Sequence, residues 1–141
     1  MIDSRKLSDL HPDVQSRCVK FVALCRAHGI QIIITSTYRD KECQDSIYAQ
    51  GRTKPGRIVT NARGGQSFHQ YCVAFDVVPM QGKPVWDDEV LWHKIGELGK
   101  SCDLEWAGDW LTFREKPHFQ YTAGLTIKDF QAGKTLPTKP I

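Results

Sequence analysis

The stretch Ser67-Phe68-His69-Gln70-Tyr71-Cys72-Val73-Ala74-Phe75-Asp76 sets a histidine and an aspartate seven positions apart in an apolar and aromatic segment. From Tyr71 to Val78 it reads as a buried strand that stops at Pro79. A carboxylate inside Ala74-Phe75-Asp76-Val77-Val78 is costly unless a cation meets it, so Asp76 needs either a metal or an arginine. His69 and Asp76 differ in strand parity, so both reach one ion only if the chain bends near His69–Cys72. Far downstream, Glu115-Lys116-Pro117-His118 supplies a second histidine with a glutamate three residues before it. Pro117 biases its predecessor to extended geometry, so this pair must meet through a turn entering a strand. His69, Asp76 and His118 make a three-ligand set that suits one catalytic Zn2+ with an open position. Glu115 is then placed as the general base, and the set points to a zinc peptidase.

Working outward, Pro12 can open a helix whose apolar face is Val14, Cys18, Phe21, Val22 and Cys25, with Gly29 as its stop. A shorter helix is possible over Ser4–Leu10. Ile30–Thr35 is a β-branched strand ending in the polar run Ser36-Thr37-Tyr38-Arg39-Asp40. Asp40 caps a helix through Cys43, Ile47 and Tyr48 to Gly51. Gly51–Gln66 is a long, glycine- and arginine-rich loop, the kind that is usually functional in a small domain. Asp87 or Asp88 caps a helix with Val90, Leu91, Ile95 and Leu98 on its apolar face. Leu104–Trp106, Thr112–Phe113 and Pro117–Tyr121 read as strands, and Thr126–Gln131 as a last helix. The pattern predicts an α+β fold: a small antiparallel sheet with helices packed on one side and the zinc cleft on the sheet.

The 141 residues suit one domain, 1–141, with a core over about 10–125 and a frayed tail over 133–141. A net charge of +3 is too small to imply nucleic acid, though it tolerates an anionic polymer as substrate. Five cysteines, an odd count with no C-x-x-C pair, argue against a disulfide framework and for a reducing compartment. The start Met1-Ile2-Asp3-Ser4-Arg5-Lys6 shows no signal-peptide pattern, and no run is long enough to span a membrane. The expectation is synthesis in the cytoplasm and no stable membrane association. A Cys72 nucleophile activated by His69 is the rival catalytic reading, but a thiol in a buried strand is usually inert. A serine triad at Ser67 lacks a G-x-S-x-G elbow.

The residues Ser67-x-His69-x-x-Cys72-x-Ala74-x-Asp76, Glu115-x-x-His118 and Ser36-x-Tyr38-Arg39 resemble the D-alanyl-D-alanine carboxypeptidase group of zinc peptidases. Cys72 stands where that group has glycine. The resemblance implies zinc on His69, Asp76 and His118, with Glu115 moving a proton from water to the leaving amine. It implies Arg39 at the oxyanion and substrate contacts from Ser67, Ser36 and Tyr38; Trp106 and Trp110 are expected to line the cleft beside the metal, with core aromatic packing as the alternative. The loop Tyr48–Gly56, the run Val59–Gly65 and the segment Leu104–Trp110 resemble phage and prophage enzymes that cut the L-Ala–D-Glu bond of peptidoglycan stem peptides. This implies an endolysin, expected as a monomer that reaches the cell wall through a holin-type lesion. The alternatives are a D-Ala-D-Ala carboxypeptidase or dipeptidase and a non-catalytic zinc-binding module of the same fold.

Overall fold

Pro12 opens the first helix where its missing N–H costs nothing. This α1, Pro12–Ala27, buries Val14, Cys18, Phe21 and Cys25 along one face, and Gly29 ends it at φ +74°. The computed structural model describes residues 1–137. Next come β1 (Ile32–Ser36) and α2 (Lys41–Ala49), the latter capped by Asp40, whose carboxylate accepts from the Cys43 N–H. Then follow β2 (Ala74–Pro79), α3 (Glu89–Ser101, capped by Asp88) and β3 (Glu105–Trp106). The last elements are β4 (His118–Gln120) and α4 (Ile127–Gln131), which starts in a capping box at Thr126.

The four strands form one antiparallel sheet in the order β1-β2-β4-β3, an α+β fold as expected. On one face, Phe21 of α1 packs on Phe119 and Phe75, with ring centroids 4.7 and 6.2 Å away. α3 reaches the same face through glycine. A Cβ on Gly96 would lie 2.3 Å from the Trp106 ring, so the helix can sit this close only without one. Gly96→Ala is therefore expected to cost about 1–3 kcal/mol by overpacking. Urea denaturation measures it.

Register does more for function than layering. Ser36 pairs with Asp76 across β1–β2, and Asp76 pairs with His118 across β2–β4. Directly opposed residues project to one side of a sheet with Cβ atoms about 4.5–5.5 Å apart. A register shift between Ile34 and Ser36 bends the end of β1 and re-aims the residues after it.

Several boundaries differ from the sequence expectation. The strand expected from Tyr71 starts later: Phe68–Tyr71 is a 3-10 turn, and β2 begins only at Ala74. Thr112–Phe113 forms no strand, because Phe113 adopts φ +43° within a run of bends. Val90 faces solvent at 82% exposure, and Trp92 takes the core position instead, its indole N–H bonded to the Trp86 carbonyl. The first short helix is a single 3-10 turn, Leu7–Asp9. Leu136 is buried in the core, which pins the chain beyond the point where fraying was expected; the rest of that tail, 138–141, lies outside the described residues.

Candidate active site

Asp76 is the centre. The pairing of β2 with β4 sets its Oδ1 3.2 Å from Nδ1 of His118. The 3-10 turn before β2 sets Nε2 of His69 at the same 3.2 Å. That turn supplies the bend that strand parity demanded. Ser67 caps it, accepting from the His69 N–H, and Cys72 closes it in the left-handed region at φ 63°. An L-residue there costs about 1–2 kcal/mol, which accounts for a preference for glycine. Cys72→Gly is thus expected to leave stability within about 1 kcal/mol of the parent, because relieved strain offsets backbone entropy. Cys72→Val, β-branched in the same conformation, is expected to cost more than 1 kcal/mol. Thermal unfolding of the two variants separates them.

The direction of each histidine proton follows from its outer partner. Nδ1 of His69 lies 2.7 Å from the Thr37 carbonyl oxygen, which can only accept, so Nδ1 carries the proton. Nε2 of His118 lies 2.7 Å from Oε1 of Gln120. The Gln120 amide is oriented by its other end, where Nε2 donates to the Glu105 carboxylate at 3.1 Å. Nε2 of His118 therefore carries the proton too. Two bare imidazole nitrogens then face one carboxylate oxygen, an arrangement that repels unless a cation sits between them.

The spacing fits zinc. Bonds of ~2.0–2.1 Å at tetrahedral angles leave ligand atoms roughly 3.3 Å apart. The three candidate ligand atoms lie within 4.8 Å of one another, and both Asp76–His separations are 3.2 Å. The electrostatics agree. Burial pushes the Asp76 carboxyl up, but the two imidazoles outweigh burial and hold it well below the ordinary carboxylate range. Burial likewise pushes His118 down, yet Asp76 and then Glu115 raise it overall. The pocket draws positive charge, whether a proton or a metal.

Around this cluster lies a cleft with two lobes of about 560 and 430 Å³. Arg39, Asp76, Glu115 and His118 line both. Glu115 is half-buried on the turn before β4, its N–H bonded to the Ala107 carbonyl at 3.2 Å. Burial raises its carboxyl above the usual value. Arg39 follows β1, and its guanidinium donates to Gln44 Oε1 at 3.0 Å and to Ser36 Oγ at 3.1 Å, with Asp76 Oδ2 at 3.5 Å.

Residues 60–121 match a family described as D-alanyl-D-alanine carboxypeptidase. The chain is 39% identical over 123 residues to the peptidoglycan L-alanyl-D-glutamate endopeptidase CwlK of Bacillus subtilis (strain 168), covering 80% of this chain and 74% of that protein. This chain belongs to that family of peptidases. It is also 30% identical over 121 residues to the L-alanyl-D-glutamate peptidase of Listeria phage A118, covering 82% of this chain but 38% of the phage protein. Among solved structures, the vancomycin-resistance D,D-pentapeptidase VanY from a VanB-type cassette, in complex with Zn(II), matches with a TM-score of 0.63. That match has 19% identity and covers 86% of this chain and 83% of VanY; it shows a shared fold.

Not every expected contact in the peptidase faces the cleft. Ser67, His69, Asp76, Glu115, His118 and Arg39 do. Ser36 is buried, and its hydroxyl donates to Asp3 Oδ1 at 2.6 Å while accepting from Arg39, so it braces the arginine rather than facing substrate. Tyr38 lines a separate small hollow beside Tyr71. Trp106 is 4% exposed, stacked on Phe119, with its indole N–H bonded to the Lys116 carbonyl; Trp110 takes the place beside His118, ring centroids 5.5 Å apart. Trp106 thus supports the Glu115 turn from behind.

Other contributors went unread in the sequence. Gln44 is one turn beyond the Asp40 cap, a spacing that could have marked it. Gln120 is two residues after His118 on one strand, so equal parity was a usable signal. Asp3, 33 residues from Ser36, offered none. α4, which lies beyond the family match, closes one end of the cleft: Phe130 stacks on Tyr71 at 5.3 Å, and Gln131 donates to the Gly65 carbonyl.

Proposed function

We propose that this peptidase is zinc-dependent and hydrolyses the L-Ala–D-Glu bond of peptidoglycan stem peptides. One arrangement carries the reading: two bare imidazole nitrogens and a carboxylate converge at tetrahedral spacing, in a cleft shared with Glu115 and Arg39. His69 through Nε2, Asp76 through Oδ1 and His118 through Nδ1 would hold the ion. Zinc, when bound, polarises the scissile carbonyl and acidifies water. Glu115 accepts a proton from the attacking water on its carboxylate and delivers it to the leaving amine nitrogen. A carboxyl raised by burial suits both halves of that task. Arg39, held by Gln44 and Ser36, steadies the carbonyl oxygen as it gains negative charge. Ser67 accepts from the His69 N–H and keeps its own proton to donate to substrate at the cleft wall.

The choice of bond follows the 39% identical relative, named for the same cleavage. The phage relative supports action on the cell wall, and we propose that the protein reaches it as a monomer released through a membrane lesion. No described helix is long and apolar enough to cross a membrane. Digestion of purified muropeptides followed by mass spectrometry is the test. The expected product carries a new C-terminal L-alanine on the muramyl side. Loss of terminal D-alanine alone would reassign the enzyme as a carboxypeptidase.

A further inference from the structure

Gln120 is a buried amide on a strand whose neighbour Phe119 is fully buried and apolar. A polar side chain there costs stability unless its bonds are made. They are made in a particular sense. Glu105 on β3 is the register partner of Gln120 on β4, so the two side chains stand opposite each other. One carboxylate oxygen of Glu105 accepts from the Gln120 amide at 3.1 Å and from the Thr122 hydroxyl at 3.3 Å. With its amide nitrogen committed, Gln120 can present only Oε1 to His118, at 2.7 Å.

We infer that Glu105 and Gln120 form a positioning relay that selects the metal-ligating tautomer of His118. This rests on the zinc-site reading above. The relay keeps the proton on Nε2 of His118 and leaves Nδ1 bare. Without it, the other neutral tautomer becomes available. Its Nδ1–H points at Asp76 Oδ1, 3.2 Å away, and that hydrogen bond closes the site to a metal. The two histidines are therefore controlled differently. His69 is fixed by the main-chain carbonyl of Thr37, which no side-chain substitution alters. His118 is fixed by a side chain that is itself aimed by a charge at the edge of the sheet. Glu105 is exposed, so the chain of bonds links a solvent-facing carboxylate to a buried ligand. Outer partners of ligating histidines commonly govern metal affinity in this way.

The test measures the zinc dissociation constant of the full chain by competition with a chromophoric chelator, alongside thermal unfolding of each metal-free protein. Gln120→Leu is expected to weaken zinc binding by ~10- to 100-fold. Gln120→Glu alone opposes two carboxylates and is expected to weaken it as well. Combining Gln120→Glu with Glu105→Gln rebuilds the relay with its polarity reversed: the amide at 105 donates to the carboxylate at 120, which accepts from Nε2–H of His118. That pair is expected to bind zinc to within about threefold of the parent, recovering what Gln120→Glu alone loses. A structural role alone predicts no such recovery. If Gln120→Leu does not fold, the exchanged pair decides by itself. Parent-like affinity in Gln120→Leu, or a double variant no better than Gln120→Glu alone, overturns the relay while leaving the zinc site standing. A parent protein that does not bind zinc overturns the site reading, and the relay with it.

Discussion

Glu115→Ala is expected to lower the turnover of muropeptides by at least ~10²-fold while zinc affinity stays close to that of the parent, the usual scale for losing a general base. Glu115 contributes no ligand atom to the His69–Asp76–His118 cluster, yet it lines the cleft with them. Its backbone carbonyl accepts from the His118 N–H at 3.2 Å, an attachment that alanine preserves. The turn is also held from behind by the Trp106 indole on the Lys116 carbonyl. The variant should therefore keep the site's shape and lose only the carboxylate. Steady-state kinetics beside chelator competition checks both halves. Undiminished hydrolysis would remove Glu115 from the chemistry, and a parallel loss of zinc would make it structural.

Chelation is expected to abolish hydrolysis, and added zinc to restore it. Asp76→Ala should be as inactive as the chelated parent and should not recover with zinc at concentrations that rescue the parent. Asp76 is the carboxylate between the two imidazoles of the cluster and also faces the Arg39 guanidinium at 3.5 Å, so its loss removes the anion that gathers the cluster. Stability should report the same event. An ion that binds only the folded chain stabilises it by about 4 kcal/mol at a thousandfold excess over its dissociation constant. A clear rise in Tm with zinc is expected in the parent and none in Asp76→Ala. Full activity in a metal-free preparation would return the chemistry to a protein nucleophile. Cys72 is poorly suited to that task, because burial pushes its thiol up and away from the reactive thiolate.

Much of this was legible in residue order. Pro12, Asp40 and the pair Asp87-Asp88 marked helix starts, with Asp88 the cap used, because capping is decided within a few residues. The α1 face was legible because its period is local. The clustering of His69, Asp76 and His118 was legible as chemistry: a carboxylate in an apolar strand needs a cation, and two histidines at separated positions can share one. The errors came where distant partners decide. Val90 was assigned to the core by spacing, but the N-terminal turn of α3 faces water and Trp92 fills the interior. Ser36, Tyr38 and Trp106 were placed near substrate by the family resemblance; the bulge in β1 and the stacking on Phe119 direct them elsewhere.

His69 shows where the division falls. The sequence alone determined that Ser67–Asp76 sets a histidine beside a carboxylate that needs a cation, and that a straight strand cannot bring both side chains to one site. The tertiary structure decided how the conflict is resolved: a capped 3-10 turn closed by Cys72 at φ 63°. It also decided the row Ser36, Asp76 and His118 across three strands, and the direction of the protons on both histidines. Caps, periods and burial costs are set by neighbours in the chain. Strand register and the sense of a hydrogen bond are set by groups tens of residues away, and only packing brings those together.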